Sequence, residues 1–264
     1  MDKEMRMDQP LSPISPSEVY SSLGTPSAPL LIDVRRREAY DVDTVMIAGA
    51  FHRNPEQVSR WLPGLPPGRE IVVYCVHGHE VSQGVAKALC DAGLRARFLE
   101  GGIADWKAKA FPTRLVRKAA NDAKWVTREH PKIDRIACPW LVSRFIDPLA
   151  QFIYVPAADV LKTAKELGGT PYDIKGVEFG HHGDQCSFDA IVKNYEIHDP
   201  ALTRLATIVR GADTSRPDLT PQGAGLLAIS YGLSANFPDD HEMLGHGLVM
   251  YDALYTWCRI DISN

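Results

Sequence analysis

Cys75 ends the run Ile71-Val-Val-Tyr-Cys75, and Val76-His-Gly-His-Glu80 separates it from the helical spacing of Val81-Ser-Gln-Gly-Val-Ala-Lys-Ala-Leu89. A strand that turns into a helix through so short a loop leaves backbone N–H groups of the loop and first helical turn without intrahelical partners. They point into one small bowl that favours an anion. A thiol at the lip of that bowl gains thiolate, the reactive form, so the chemistry on offer is nucleophilic attack by sulfur. A structural thiol buried at a strand end is the competing reading. It accounts for the cysteine but not for a turn that crowds Gly78, two histidines and a glutamate together. His77 and His79 have three readings: a general acid, an anion contact when protonated, or loop fillers that bond to carbonyls. Without a third local ligand they form no metal site by themselves.

A second group of chemistry-bearing residues lies further along: Cys138, the pair His181-His182, Cys186, Asp189, His241 and His246. One of His181 and His182, with Cys186 and either His241 or Asp189, is a candidate transition-metal site across a glycine turn. The alternative is that these residues cap helices and close loops, as Ser187 and Asp239 are placed to do. Cys138 beside Pro139 is a candidate second redox thiol at a helix start, with a buried core thiol as its alternative. Asp134 and Arg135 read as a local ion pair. Arg35, two residues after Asp33, is expected to pair with Asp33 or Glu80.

The elements that must position these groups alternate from Ile14 onward. Ser15-Pro-Ser-Glu opens a capped helix, Leu30–Arg35 is a buried strand, and Asn54–Trp61 a short helix. Ile71–Cys75 is a strand, Val81–Ala92 a helix closed by Gly93, Ala96–Leu99 a strand, and Gly101–Lys107 leads into a helix ended by Pro112. This order implies a doubly wound, mostly parallel sheet with its site at the carboxyl ends of the strands, where Cys75 falls. Residues 1–13 read as a disordered start, 14–112 as the α/β domain, and 113–123 (TRLVRKAANDA) as a linker. Residues 124–264 read as a mainly α-helical (α+β) second domain. Its expected strands are Trp125–Arg128 and Gln151–Val155. Its expected helices are Pro139–Ile146, Ala157–Leu167, Ser187–Tyr195, Asp199–Val209, Thr220–Leu233 and Asp239–Arg259.

Composition narrows the function classes. The chain has 264 residues, enough to bury a large core without disulfides or structural metal. Its 45% hydrophobic and 23% charged residues and its net charge of −4 give no footprint for nucleic acid or an anionic membrane. No apolar run reaches a membrane span, and MDKEMRMDQPLSPIS is no secretory signal. Five cysteines without a CxxC argue for reduced thiols in a cytoplasmic protein.

The segments LLIDVRRREAY, MIAGA, IVVYC with its loop, and FLEGGIADWKA resemble, in order and spacing, a single rhodanese domain over residues 14–112. The resemblance implies a cofactor-free sulfurtransferase. Cys75 would take sulfane sulfur from a donor as a persulfide and pass it to a thiol acceptor, with the amides of Val76, His77, Gly78, His79 and Glu80 holding the transferred sulfur. Protein tyrosine phosphatases share such a cradle but need an arginine where this chain has Val81. Glu80 stands where many thiosulfate-using rhodaneses carry arginine. That difference points from thiosulfate toward a small-molecule or protein persulfide as donor.

The strings KWVTREHPKIDRIACPWLVSRFIDP, GVEFGHHGDQCSFDA, IVRGADT and GLSANFPDDHEMLGHG resemble the C-terminal domain of the chromate-resistance protein B (ChrB) family. In regulator members that domain follows a DNA-binding segment; here the rhodanese-like half takes its place, and no nucleic-acid partner is expected. Together the two resemblances imply a sulfurtransferase tied to chromate or oxidative stress. The alternative is a non-catalytic redox, oxyanion or metal sensor. Reduction of chromate by thiols such as Cys75 and Cys138 is a weaker third reading.

Overall fold

The protein is described by a computed structural model over residues 11–116 and 124–262. In the first half the elements are β1 (Pro13–Ile14), α1 (Pro16–Ser22), β2 (Leu30–Asp33), α2 (Arg37–Asp41), β3 (Val45–Ile47), β4 (Ala50–His52), α3 (Val58–Trp61), β5 (Ile71–Tyr74), α4 (Glu80–Asp91), β6 (Ala96–Leu99), α5 (Gly102–Ala108) and β7 (Thr113–Leu115). Five strands form one sheet in the order β1-β6-β5-β2-β4, with every pairing parallel. Both faces of β2 and β5 are buried, which is why Leu30-Leu-Ile32 and Ile71–Tyr74 read as unbroken apolar runs. Ser15 caps α1 and closes a capping box with Glu18, as its sequence predicts.

Two expected boundaries shift. Of the start expected to be disordered, residues 1–10 lie outside the described part, while Pro13 pairs with Phe98 as an edge of the sheet. The expected linker begins instead as β7, antiparallel to β3, and only 117–123 lie outside the described residues. Its polar appearance misleads because the Arg114 side chain is not solvated. It is buried, donates to the carbonyls of Ala50 and Leu115, and lies over the Tyr195 ring.

The second half contains β8 (Lys124–Arg128), α6 (Asp134–Leu141), β9 (Gln151–Val155), α7 (Val160–Leu167), β10 (Thr170–Pro171), α8 (Ser187–Asn194), α9 (Pro200–Asp213), α10 (Pro221–Asn236) and α11 (Asp240–Ile262). A small parallel sheet, β10-β8-β9, accompanies the helices, so this half is helix-rich α+β. The helix expected to start at Pro139 starts at Asp134 and passes into a π turn over Val142–Ile146. Pro139 has no N–H for the Arg135 carbonyl one turn back; the Tyr154 hydroxyl reaches that carbonyl at 3.4 Å. Asp199 caps α9 as expected, donating no proton but accepting from the Leu202 amide at 2.8 Å.

The two halves share one core. Leu23, Met46, Ile47 and Trp106 from the first belong to the same buried cluster as Trp140, Phe145 and Tyr255 from the second. Gly49 lies at the seam with φ of +78°, and its amide donates to the Phe145 carbonyl at 2.7 Å. A Cβ there would fall 2.6 Å from the Arg144 carbonyl, so the backbones meet at glycine. The Tyr20 hydroxyl donates to Asp199 at 3.0 Å, and Leu115 donates its amide to Tyr195 at 2.8 Å. Tyr195 closes α8, so that helix has one end against β7 and the other, at Ser187, deep in the second half.

Candidate functional site

Cys75 stands immediately after β5, and its thiol is 7% exposed. The backbone amides of His77, His79 and Ser82 and the Ser82 hydroxyl, 3.3 Å from Sγ, converge on it. Burial works against the thiolate, but the Ser82 hydroxyl and those three amides outweigh it, and the thiol's pKa is lowered. The Ser82 hydroxyl also lies 3.1 Å from the His79 carbonyl. Its single proton can therefore rest on that carbonyl while Cys75 is a thiol and turn to Sγ when the thiolate forms.

The loop is held from both sides. Gly78 has φ of +73°, and a Cβ on it would meet the Leu99 carbonyl at 2.4 Å. At the start of α5, Ile103 and Ala104 donate to the carbonyls of Cys75 and Val76, each at 3.0 Å. Those bonds occupy carbonyls that would otherwise repel an anion. No side chain caps α4, whose N-cap is His79, so its first amides stay open.

Sγ faces a cleft of about 580 Å³ lined by Arg35, Arg36, Ala39, Cys75, Val76, His77, His79, Glu80, Val81 and Gln83. His77, His79 and Glu80 are exposed at its rim, with the two imidazoles 5.9 Å apart. Arg35 does not reach Glu80. It is buried and spent on Asp33, at 2.6 and 2.9 Å, and on Asp43, at 2.6 Å. The cation in the cleft that loop reading missed is Arg36, exposed at the start of α2. Its only sequence signal is the arginine run after Asp33-Val, one strand away from the loop.

The expected metal set in the second half does not assemble. Cys186 is buried and caps α8, with Asp189 completing the capping box. Asp189 holds Arg210 through two bonds of 2.9 Å. His182 contacts the Glu178 carbonyl, and His241 packs edge-on against Tyr154. His246, also flagged, stacks on Phe237. Cys138 does not lie at the helix start that Pro139 suggested. It is fully buried inside α6, and burial, then the neighbouring Asp134, push its pKa well above the ordinary value.

His181 stands at the centre of a cluster with Asp173 of its own β10–α8 connection, Asp134 of α6 and Asp213 of α9, and the Cys186 thiol bonds to Asp134 at its edge. The His181 Nε2 lies 3.0 Å from Asp213, 3.3 Å from Asp173 and 3.6 Å from Asp134. Hydrogen bonds to Asp173 and Asp213 raise its pKa to about 10. Asp134, fully buried, accepts the Ser187 amide of α8 at 2.6 Å; the expected pair with Arg135 is not made. Arg135 turns to Asp173 at 3.2 Å, joined there by Arg128 at 2.8 Å. A cleft of about 500 Å³, lined by Arg128, Ala157, Asp173, Ile174, Lys175 and His181, opens over the cluster.

Two sequence families match the chain. The family described as ChrB, C-terminal domain, matches residues 125–258, and the rhodanese-like domain matches residues 15–109. The protein named ChrB from Cupriavidus metallidurans is 32% identical over 134 residues, covering 50% of this chain and 40% of that protein. This chain therefore spans well under half of that relative. Among solved structures, a rhodanese-related protein from Thermoplasma volcanium is 21% identical, covers 38% of this chain and 95% of its own, and superposes with a TM-score of 0.33. A protein from Anabaena sp. is 31% identical, with 39% and 80% covered and a TM-score of 0.35.

Proposed function

Because the chain belongs to the ChrB, C-terminal domain family and carries a rhodanese-like domain ahead of it, we propose that it is a sulfurtransferase that carries sulfane sulfur on Cys75 in a response to chromate or oxidative stress. The observation that carries the reading is the Cys75 thiol, held under three amides and the Ser82 hydroxyl at the floor of an open cleft. The Cys75 thiolate attacks the outer sulfur of a donor persulfide, R–S–SH. A bond forms between Sγ and that sulfur, the donor's S–S bond breaks, and R–S⁻ leaves with the bonding pair. The amides take up the charge on the transferred sulfur. An acceptor thiolate then attacks the outer sulfur of Cys75–S–SH and releases the Cys75 thiolate. The enzyme returns unchanged, and no external oxidant or reductant is used.

Glu80 and Arg36 at the rim bear on the donor. A carboxylate in the loop disfavours a dianion such as thiosulfate, while Arg36 offers one fixed positive charge across the cleft. A donor with a single carboxylate apart from its sulfane sulfur, such as a cysteine-type persulfide, fits both. Intact-protein mass spectrometry of wild type and Cys75→Ser after exposure to thiosulfate, a low-molecular-weight persulfide and a neutral alkyl persulfide tests this. A gain of one sulfur on wild type only, strongest with the anionic persulfide, supports the reading. No adduct at Cys75 with any donor refutes transfer and leaves the cleft as a binding pocket.

A further inference from the structure

The cluster around His181 lies outside the sulfur-carrying site, and its geometry exceeds what an ion pair uses. An imidazole Nε2 carries at most one proton and can aim it at one acceptor, or share it between two. Here three carboxylates from three segments surround that single nitrogen at 3.0, 3.3 and 3.6 Å. Asp134 is fully buried, and among the described residues no lysine or arginine forms an ion pair with it. Among the described residues, the basic side chain paired with it is His181, at 3.6 Å.

The His181–Asp173 and His181–Asp134 spacings of 3.3 and 3.6 Å lie near the edges of a coordination sphere. With metal–ligand bonds of about 2.0–2.2 Å, neighbouring ligand atoms sit about 3.0 Å apart at right angles and about 3.4 Å apart at a tetrahedral angle. Donor atoms of Asp134, Asp173 and His181 all lie within 4.8 Å of one another. Asp213 is the third carboxylate in contact with His181, at 3.0 Å. We propose that Asp134, Asp173 and His181 bind one divalent first-row cation, with Asp213 beside the fourth position.

The donor set selects the class. Two carboxylates suit a hard ion and an imidazole suits Mn²⁺, Fe²⁺ or Zn²⁺ over Ca²⁺ or Mg²⁺. The Cys186 thiol bonds to Asp134 but lies outside the group whose donor atoms fall within 4.8 Å of one another, and Cys138 is buried inside α6, so the donor set does not favour Cu⁺. The three ligands leave coordination positions toward the cleft of about 500 Å³, where Arg128 and Lys175 would receive an anionic group on the bound ion. The site is independent of Cys75 chemistry and stands or falls separately from it.

Full-length protein freed of metal with a chelator and then titrated with Mn²⁺ provides the test. Loss of the free-ion paramagnetic signal counts bound Mn²⁺, and Zn²⁺ titrated in a calorimeter counts the second probe. Wild type and Cys75→Ser are expected to bind one equivalent of the same ion with the same affinity. His181→Gln, at a side chain 43% exposed, and Asp173→Asn should each weaken binding at least tenfold while circular dichroism shows an intact fold. Asp134→Asn, the variant at greatest risk of misfolding, adds a second reading where it folds. Wild type that binds neither ion at 1:1, or His181→Gln that binds as wild type does, overturns the proposal and leaves an ion-pair network.

Discussion

The reactivity of Cys75 depends on a balance between a burial that suppresses charge and four donors that favour it. Ser82 tips that balance, since its hydroxyl is the one donor that a point substitution removes without disturbing the backbone. Ser82→Ala is expected to raise the Cys75 pKa toward that of a free thiol, so less thiolate is present at neutral pH. Alkylation by iodoacetamide, followed from pH 5 to 10, should show its inflection shifted upward in the variant, with a rate at pH 7 several-fold lower. In wild type the rate should climb with pH through an inflection below the ordinary thiol value, because the folded pKa is depressed. Arg36 acts at longer range. Arg36→Ala should slow sulfur uptake from an anionic persulfide several-fold and leave a neutral alkyl persulfide almost unaffected, which a side-by-side donor series would read. The sequence makes the Cys75 loop visible because its residues are consecutive. Arg36 comes from the neighbouring strand end, and a linear reading of the loop's charge misses it. The His181 cluster hides for the same reason on a larger scale: Asp134 comes from α6, Asp173 and His181 from the β10–α8 connection, and Asp213 from α9. Their adjacency exists only after folding, whereas the nearby and chemically tempting Cys186 and Asp189 serve a helix start.

Among the elements, α9 is tied into the fold by its capping residue. Asp199, 2% exposed, caps the helix through the Leu202 amide, and its other oxygen accepts the Tyr20 hydroxyl of α1. Asp199→Ala should cost about 1–2 kcal/mol for the cap alone, and more with the half-buried Tyr20 hydroxyl left without that acceptor. Asp199→Asn, which keeps an accepting oxygen, should recover most of it; urea denaturation of the three proteins would measure the difference. Elements with punctuation of this kind were legible: Ser15, Asp199-Pro200, Thr220-Pro221 and Gly93 mark helix ends by chemistry that acts within a few residues. The strands β1, β4 and β7 were not, being two or three residues long and defined by pairing partners far along the chain. The start of α6 was misplaced because Pro139 normally marks a first turn. Here it sits inside a helix whose interrupted carbonyl finds the Tyr154 hydroxyl.

At the scale of the molecule, the two family-sized halves are not independent beads. One buried cluster runs through both, and at Gly49 their backbones touch. A single cooperative unfolding transition is therefore expected, with calorimetric and van't Hoff enthalpies in agreement. Gly49→Ala should lower the stability of the whole chain by about 2 kcal/mol or more, since the new methyl meets both a left-handed backbone and the Arg144 carbonyl. Two separate transitions would show that the seam is not cooperative. The packing that joins the halves also gives α8 a position between the two chemistries. Its first amide holds the carboxylate of Asp134, and the carbonyl of Tyr195, which closes it, accepts the amide of Leu115 in the strand that follows α5. α5 in turn supplies the amides bonded to the carbonyls of Cys75 and Val76. Any free energy passed along that line obeys reciprocity: a ligand at the carboxylate end that altered the equilibrium for loading sulfur on Cys75 by some factor would have its own affinity altered by the same factor once the sulfur is loaded.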